Sequence, residues 1–263
     1  MNGMLSLEHV RRYERDGVVF PIRVLRPDEA TKFRAAFESL ETRLERKLEY
    51  AAWLHLYFRW AYDLATHPAV LRAIEKLLGP DILVQGTLVL CKHPRDPAYV
   101  SWHQDGTYTN QQATPSTSAW IALSDSTAEN GCMRVITGSH LHGALPHTET
   151  FAAHNLLSHG QEVLCALDER RVRDITLSAG EMSLHQQHII HSSEPNRSDT
   201  KRIGFIVRFV TPQVEHSIDP LIRLCERNEC AHLTLLAEPP KGDEAEGVAA
   251  WQEYQQRRRR QVR

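Results

Sequence analysis

The sequence predicts a mainly β fold, a sandwich or barrel with flanking helices, and three observations carry that prediction. Beyond Pro80, short apolar runs alternate with turn-rich pieces such as "HPRDP", "ENG", "TGSH" and "EPNRSD". Before it, apolar residues recur at three- and four-residue intervals. The chain of 263 residues is also long enough to bury about 70–75% of its unfolded surface without a disulfide or metal staple.

In order along the chain, Ser6 is placed to cap a first helix that runs to Arg15 and stops at Gly17. Pro27-Asp28-Glu29 opens a longer helix, since proline suits the first turn and acids suit the positive end of the helix dipole. Its apolar stripe is Phe33, Ala36, Phe37, Leu40 and Leu44. A third helix, from about His67 to Leu78, aligns Val70, Leu71, Ile74 and Leu78 and ends at Gly79-Pro80. These predict a helical N-terminal layer over about residues 1–80. Strand-like runs follow at 82–90, 118–123, 133–136, 182–190 and 203–210, within a core over about 81–213. An extension over about 214–263 ends in a closing helix near 244–260, and one domain of 1–263 is the simplest organisation.

Composition excludes several classes of function. Lysine and arginine total 31 against 33 acids, a net charge of −2, with a pI near 6.7; a dedicated nucleic-acid binder is usually strongly basic. The Arg257 to Arg260 cluster reads as a solvated tail. The apolar runs fall far below the ~18–20 residues of a membrane span. The N-terminal segment is rich in charge, unlike a signal or transit peptide. Five cysteines, an odd number without a CxxC pair, point to a reducing, cytoplasmic setting with unpaired, structural thiols that have no neighbouring base. The expected partner is a small molecule, with no nucleic acid and no membrane; oligomeric state is not legible.

Chemistry concentrates at two sites. In Trp102-His103-Gln104-Asp105-Gly106 an extended chain puts His103 and Asp105 on one face, where an imidazole nitrogen and a carboxylate oxygen can meet one divalent ion. In "LHQQHIIHSSEPNRSDTKRIGFIVRFV" a strand-like run ends in His191, a turn follows, and Arg202 begins the next strand. A third ligand from His191 would complete a two-histidine, one-carboxylate set that leaves positions open on Fe(II) for a 2-oxo acid and dioxygen; the plainer alternative makes His188 and His191 core or surface histidines and Arg202 a surface cation. Strand pairing is expected to bring Arg202 near His191, where its guanidinium fork matches the far carboxylate of that acid. The Ser193 hydroxyl, two residues past His191, is placed to bond the same group.

On "WHQDGTY", "AWIALSDSTAENGCMRVITGSH", "AGEMSLHQQHIIHSSEPNRSD" and Arg202, the sequence resembles the phytanoyl-CoA dioxygenase family of Fe(II)- and 2-oxoglutarate-dependent oxygenases, over roughly Val18 to Thr211. The resemblance implies a double-stranded β-helix, the jelly-roll or cupin-like core, and iron bound by His103, Asp105 and His191. It also implies a 2-oxoglutarate site at Arg202 and Ser193, with Trp120 as the aromatic residue beside the cosubstrate. Two loop positions depart from the family pattern, Thr137 for a usual proline and Glu194 for a usual glycine. Halogenating relatives have glycine or alanine where this chain has Asp105, so the resemblance favours hydroxylation. The implied reaction consumes 2-oxoglutarate and O2, releases succinate and carbon dioxide, and hydroxylates an unactivated C–H of a metabolite. Desaturation, epimerisation or cyclisation at the same iron is an alternative, and a non-catalytic metal- or ligand-binding jelly roll is a third reading.

Strand parity extends the pocket. With His191 inward, Ile189, Gln187 and His185 follow, and His188 points away. With Arg202 inward, so are Gly204, Ile206 and Arg208. His185 and Arg208 are either internal hydrogen-bonding groups or substrate contacts, Arg208 then facing an anionic group. Gln85 is placed with the cosubstrate, and Tyr108 with the substrate. The aromatic run Trp53, Tyr57, Phe58, Trp60 and Tyr62 is expected to pack helices on the β-core more than to cover the site. His147 and Glu149 form a rival pair in a polar stretch without a strand pattern, inside a candidate lid over 140–160.

Overall fold

The computed structural model describes residues 4–105, 114–157, 159–215, 217, 219–224, 230–242 and 244–261. Local signals set its helices. At α1 (Leu7–Asp16) the Ser6 hydroxyl accepts from the His9 N–H and His9 Nδ1 accepts from the Ser6 N–H, both at 3.2 Å. Donors that a first turn leaves open are thereby satisfied reciprocally. Gly17 ends the helix at φ 76°, a left-handed conformation that costs glycine nothing. α2 (Pro27–Arg43) buries Ala30, Phe33, Phe37 and Leu40 on one stripe. α3 (Arg59–Ala65) leads into α4 (Pro68–Leu78), which is capped by His67 and buries Val70 and Ile74. α5 (Glu244–Gln261) is the closing helix. No helix among the described residues is long and apolar enough to cross a membrane.

The strands in chain order are β1 (Val18–Arg23), β2 (Tyr50–Ala52), β3 (Leu83–Lys92), β4 (Val100–His103), β5 (Ser116–Ala122), β6 (Met133–Ile136) and β7 (His147–Glu149). After them come β8 (Gln161–Val163), β9 (Val172–Ile175), β10 (Glu181–Gln186), β11 (His191–Ser193), β12 (Arg202–Val210) and β13 (Ile222–Arg223). A seven-stranded antiparallel sheet has the order β1-β10-β5-β12-β3-β13 with β2 also on β3, and a four-stranded sheet has the order β4-β11-β6-β9. From β3 to β6, and again from β9 to β12, successive strands alternate between the two sheets. That alternation is the double-stranded β-helix that the family resemblance implies.

Two expectations are corrected. The layer over residues 1–80 is not all helix: β1 pairs with β10 at the edge of the large sheet, and β2 pairs with β3. Both are short strands whose partners lie far along the chain, so nothing local announces them. The run over 182–190 is not one strand ending in His191. β10 stops at Gln186, a turn closes with the Ile189 N–H donating to the Gln186 carbonyl at 3.0 Å, and His191 opens β11 in the other sheet.

The large sheet buries one face under the helices. Phe33, Phe37, Leu64, Ile74 and Trp251 pack there against Ile121, Leu184, Phe205 and Val207. Its other face meets the small sheet, where Trp120 and Ala122 join Met133, Val135, Ile175 and Ile189 in a second apolar cluster. Beside that cluster the interior also carries buried polar side chains, among them His103, His185, His191, Ser193 and Arg202.

Candidate active site

His103 ends β4, His191 opens β11, and the two are direct register partners, with ring centroids 4.1 Å apart. Each Nδ1 faces a backbone carbonyl, Ser101 O at 2.9 Å and Ile189 O at 3.1 Å. A carbonyl only accepts, so each Nδ1 carries the proton and each Nε2 presents a lone pair. Asp105 Oδ1 lies 3.8 Å from His103 Nε2 and 3.9 Å from His191 Nε2. All three donor atoms are within 4.8 Å of one another, a spacing that one divalent ion can bridge with bonds of about 2.0–2.2 Å.

The electrostatics suit a metal. Burial lowers the pKa of His103, and burial together with the His103 ring takes that of His191 well below its ordinary value. Both rings therefore stay neutral, as ligation requires. Loss of water works against the Asp105 charge, but Arg208 and then His185 outweigh it and hold the carboxyl well below its usual range. Arg208 Nη2 sits 3.2 Å from Oδ1, His185 Nε2 sits 3.7 Å from Oδ2, and Ser118 Oγ donates to Oδ2 at 3.2 Å.

One cavity of about 530 Å³ takes in His103, Asp105, His191, Ser193, Trp120 and Arg202. Arg202 is 1% exposed, with its guanidinium over the Trp120 ring at 5.3 Å. A Cβ at residue 204 would stand 2.1 Å from Trp120 Cζ2, so only glycine lets the indole lie there. Arg202 Nε and Nη2 have no hydrogen-bond partner among the described residues. A buried guanidinium with open N–H groups is costly until an anion meets it, and a carboxylate matches its fork. The residues present thus fit both a ferrous ion and a 2-oxo diacid. The route by which Arg202 arrives is a correction: it pairs with Lys92 of β3 rather than with the strand of His191, and Arg202 and His191 line one cavity from different sheets.

A family profile described as phytanoyl-CoA dioxygenase matches residues 13–204. The chain belongs to the phytanoyl-CoA dioxygenase family. Iron, 2-oxoglutarate and dioxygen are accordingly its cofactor and cosubstrates. Among curated relatives, the L-proline trans-4-hydroxylase of Streptomyces griseoviridis is 28% identical over 237 residues, covering 80% of this chain and 88% of that one. A phytanoyl-CoA dioxygenase domain-containing protein 1 homolog of Dictyostelium discoideum is 26% identical over 132 residues, 48% of this chain; the match spans about half the length of that relative, 46%. Among solved structures, the non-heme monooxygenase ThoJ in its apo form has TM-score 0.78 at 29% identity, covering 96% of each chain. The epimerase SnoN, in complex with Fe3+, alpha ketoglutarate and nogalamycin RO, has TM-score 0.64 at 25% identity over 78% of this chain and 83% of that one.

Gln85, His185 and Arg208 line the same cavity. His185 does so from β10, across the break that separates β10 from His191 in β11. In the intervening turn Gln187 is tied to Ser116 and Thr114, and Ile189 sits in the apolar cluster between the sheets. Tyr108 lies outside the described residues. Of the aromatic run, Trp53 lines the cavity, whereas Phe58 is buried in the helix-side core with Tyr57, Trp60 and Tyr62 packed on it. His147 and Glu149 lie in a short strand, not a loop, and do not converge: His147 Nε2 accepts from the Gln104 N–H at 3.1 Å, and Glu149 meets His159 at 2.7 Å.

Two further readings are overturned. The arginine cluster is not wholly a solvated tail, because Arg258 enters the cavity with its guanidinium 5.8 Å from the Trp53 ring and Nη2 3.9 Å from Asp219. The stripe Trp251, Tyr254, Arg258 at helical spacing was the available signal. Cys91 does have a base beside it, His93 Nε2 at 3.8 Å. Burial pushes that thiol up to about 12, so it stays protonated. His93 turns to Glu41, whose oxygens are already met by the Leu48 N–H and Lys201, an ion network that ties α2 to β3. Cys132 and Cys230 are buried, Cys165 is exposed, and Cys225 lies outside the described residues.

Proposed function

We propose that the protein is an Fe(II)- and 2-oxoglutarate-dependent hydroxylase of a small-molecule metabolite. The supporting observation is the joint presence, in one cavity, of three metal donors within 4.8 Å of one another and a buried guanidinium whose Nε and Nη2 have no hydrogen-bond partner among the described residues. In this reading His103, Asp105 and His191 hold the iron. Arg202 and Ser193 take the far carboxylate of 2-oxoglutarate, with Trp120 and Gln85 flanking it. When bound, iron and 2-oxoglutarate supply the oxidising power to break an unactivated C–H bond, with succinate and carbon dioxide as by-products. The chain's own contribution is orientation. Fixed Nδ1–H donors set both imidazoles, and Arg202 sets the cosubstrate's direction. His185 and Arg208 act as substrate contacts, Arg208 offering its charge to an anionic group. A carboxylate at residue 105 occupies the position that chlorination would need open.

The likeness to the epimerase SnoN favours epimerisation as a second reading. Aerobic incubation with Fe(II), 2-oxoglutarate and candidate metabolites separates the readings. Substrate-dependent succinate with gain of one oxygen atom is expected for hydroxylation, and succinate with unchanged product mass for epimerisation. Absence of substrate-dependent succinate across the metabolite pools would favour a non-catalytic ligand-binding role.

A further inference from the structure

We infer that Lys92 is a positioning residue for the cosubstrate, holding the Ser193 hydroxyl so that its proton faces the cavity and setting a second cation beside Arg202. This role rests on the reading of Arg202 and Ser193 as the carboxylate site. Lys92 ends β3, is 0% exposed, and is the direct register partner of Arg202. Its Nζ donates to Ser193 Oγ at 2.7 Å and to the Glu194 carbonyl oxygen. Ser193 and Arg202 line the cavity and Lys92 does not, so Lys92 acts on a ligand through Ser193 and through its field. A hydroxyl oxygen that accepts from Nζ has its own proton left to donate elsewhere, and a carboxylate held by Arg202 is the acceptor the site awaits.

The charge balance points the same way. Among the described residues neither Lys92 nor Arg202 has an ion-pair partner, and the two stand on adjacent strands. Asp96, Glu194 and Cys132 are the other titratable groups that act on Lys92. Burial first, then the Arg202 charge, bring its pKa down to about 6. A neutral amine has two N–H donors, matched here by its two acceptors. An arriving dicarboxylate relieves the repulsion between the two bases, so binding of 2-oxoglutarate draws a proton onto Lys92.

The test uses the full chain loaded anaerobically with Ni(II), so that no turnover intervenes, and titrates 2-oxoglutarate calorimetrically. Lys92→Met and Ser193→Ala are each expected to raise Kd about tenfold. The double variant should stay far short of the roughly hundredfold product, because both changes remove one linked interaction. The unmutated protein should take up a proton on binding near neutral pH, read from buffers of different ionisation enthalpy, and Lys92→Met should not. Wild-type-like affinity in Lys92→Met, fully multiplicative losses, or binding without proton uptake would each overturn the inference. Should Lys92→Met fail to fold, the proton uptake of the unmutated protein still decides it. Arg202→Ala separates the two levels: unchanged affinity there defeats the carboxylate site itself, whereas a loss there with none in Lys92→Met defeats only the role of Lys92.

Discussion

Along β12, Ile203, Phe205, Val207 and Phe209 point into the apolar core beneath the helices, while their alternates Arg202, Ile206 and Arg208 line the cavity. β5 and β10 repeat the division: Ile121, Met182 and Leu184 face the helices, and Trp120 and His185 face the site. Because side chains alternate with a period of two, one strand serves a dry face and a chemical face at once. The difference teaches that cohesion and chemistry occupy opposite sides of a single sheet, and that substitutions one residue apart should act on different quantities.

The sharpest contrast uses two residues of β12. Phe205→Ala, on the helix face, should cost about 3–5 kcal/mol in denaturant unfolding, since a fully buried ring leaves a cavity. Its folded fraction should bind 2-oxoglutarate nearly as the wild type does. Arg202→Ala should do the reverse. Affinity for 2-oxoglutarate falls by about 2–4 kcal/mol, or some 30- to 1000-fold. The unfolding free energy holds or rises, because a buried charge with no ion-pair partner among the described residues has gone. If Phe205→Ala damaged binding as much as stability, the two faces would not be separable.

A smaller effect probes the helix side by pH. His55 is 0% exposed, its Nδ1 lies 2.9 Å from Thr87 Oγ1, and burial pushes its pKa down to about 3. Unfolded, it takes a proton below about pH 6.5; folded, it does not until about pH 3. The unfolded state therefore holds more protons across that window, and stability falls with acidification by about 1.4 kcal/mol per pH unit from this group. Unfolding titrations between about pH 6.5 and 5 should show a shallower slope in His55→Gln than in the wild type; equal slopes would remove His55 from the account.

Much of this was legible because the signals are local. Ser6 and Gly17 bound α1, Pro27 and His67 open α2 and α4, and the alternation in β12 separates Arg202 and Arg208 from the core residues between them. His103 and Asp105 sit two apart, so their convergence needed no knowledge of the fold. What stayed hidden depends on distant partners. β1 is a strand only because β10 lies beside it. The turn over residues 187–190 carries no glycine or proline, and it is held by Ser116, Thr114 and Ser139 from elsewhere in the chain. Lys92 reads as a stray charge at a strand end until Ser193 is seen against it, and Arg258 reads as one of four arginines until Trp53 is found beneath it.

The central claim is that His103, Asp105 and His191 hold one ferrous ion, and an anaerobic titration of Fe(II) into metal-free protein tests it most directly. We expect one iron per chain, affinity reduced by at least about 100-fold in Asp105→Ala, and wild-type affinity in Glu149→Ala, which removes the carboxylate of the rival pair. Iron bound as tightly by Asp105→Ala as by the wild type would contradict the account.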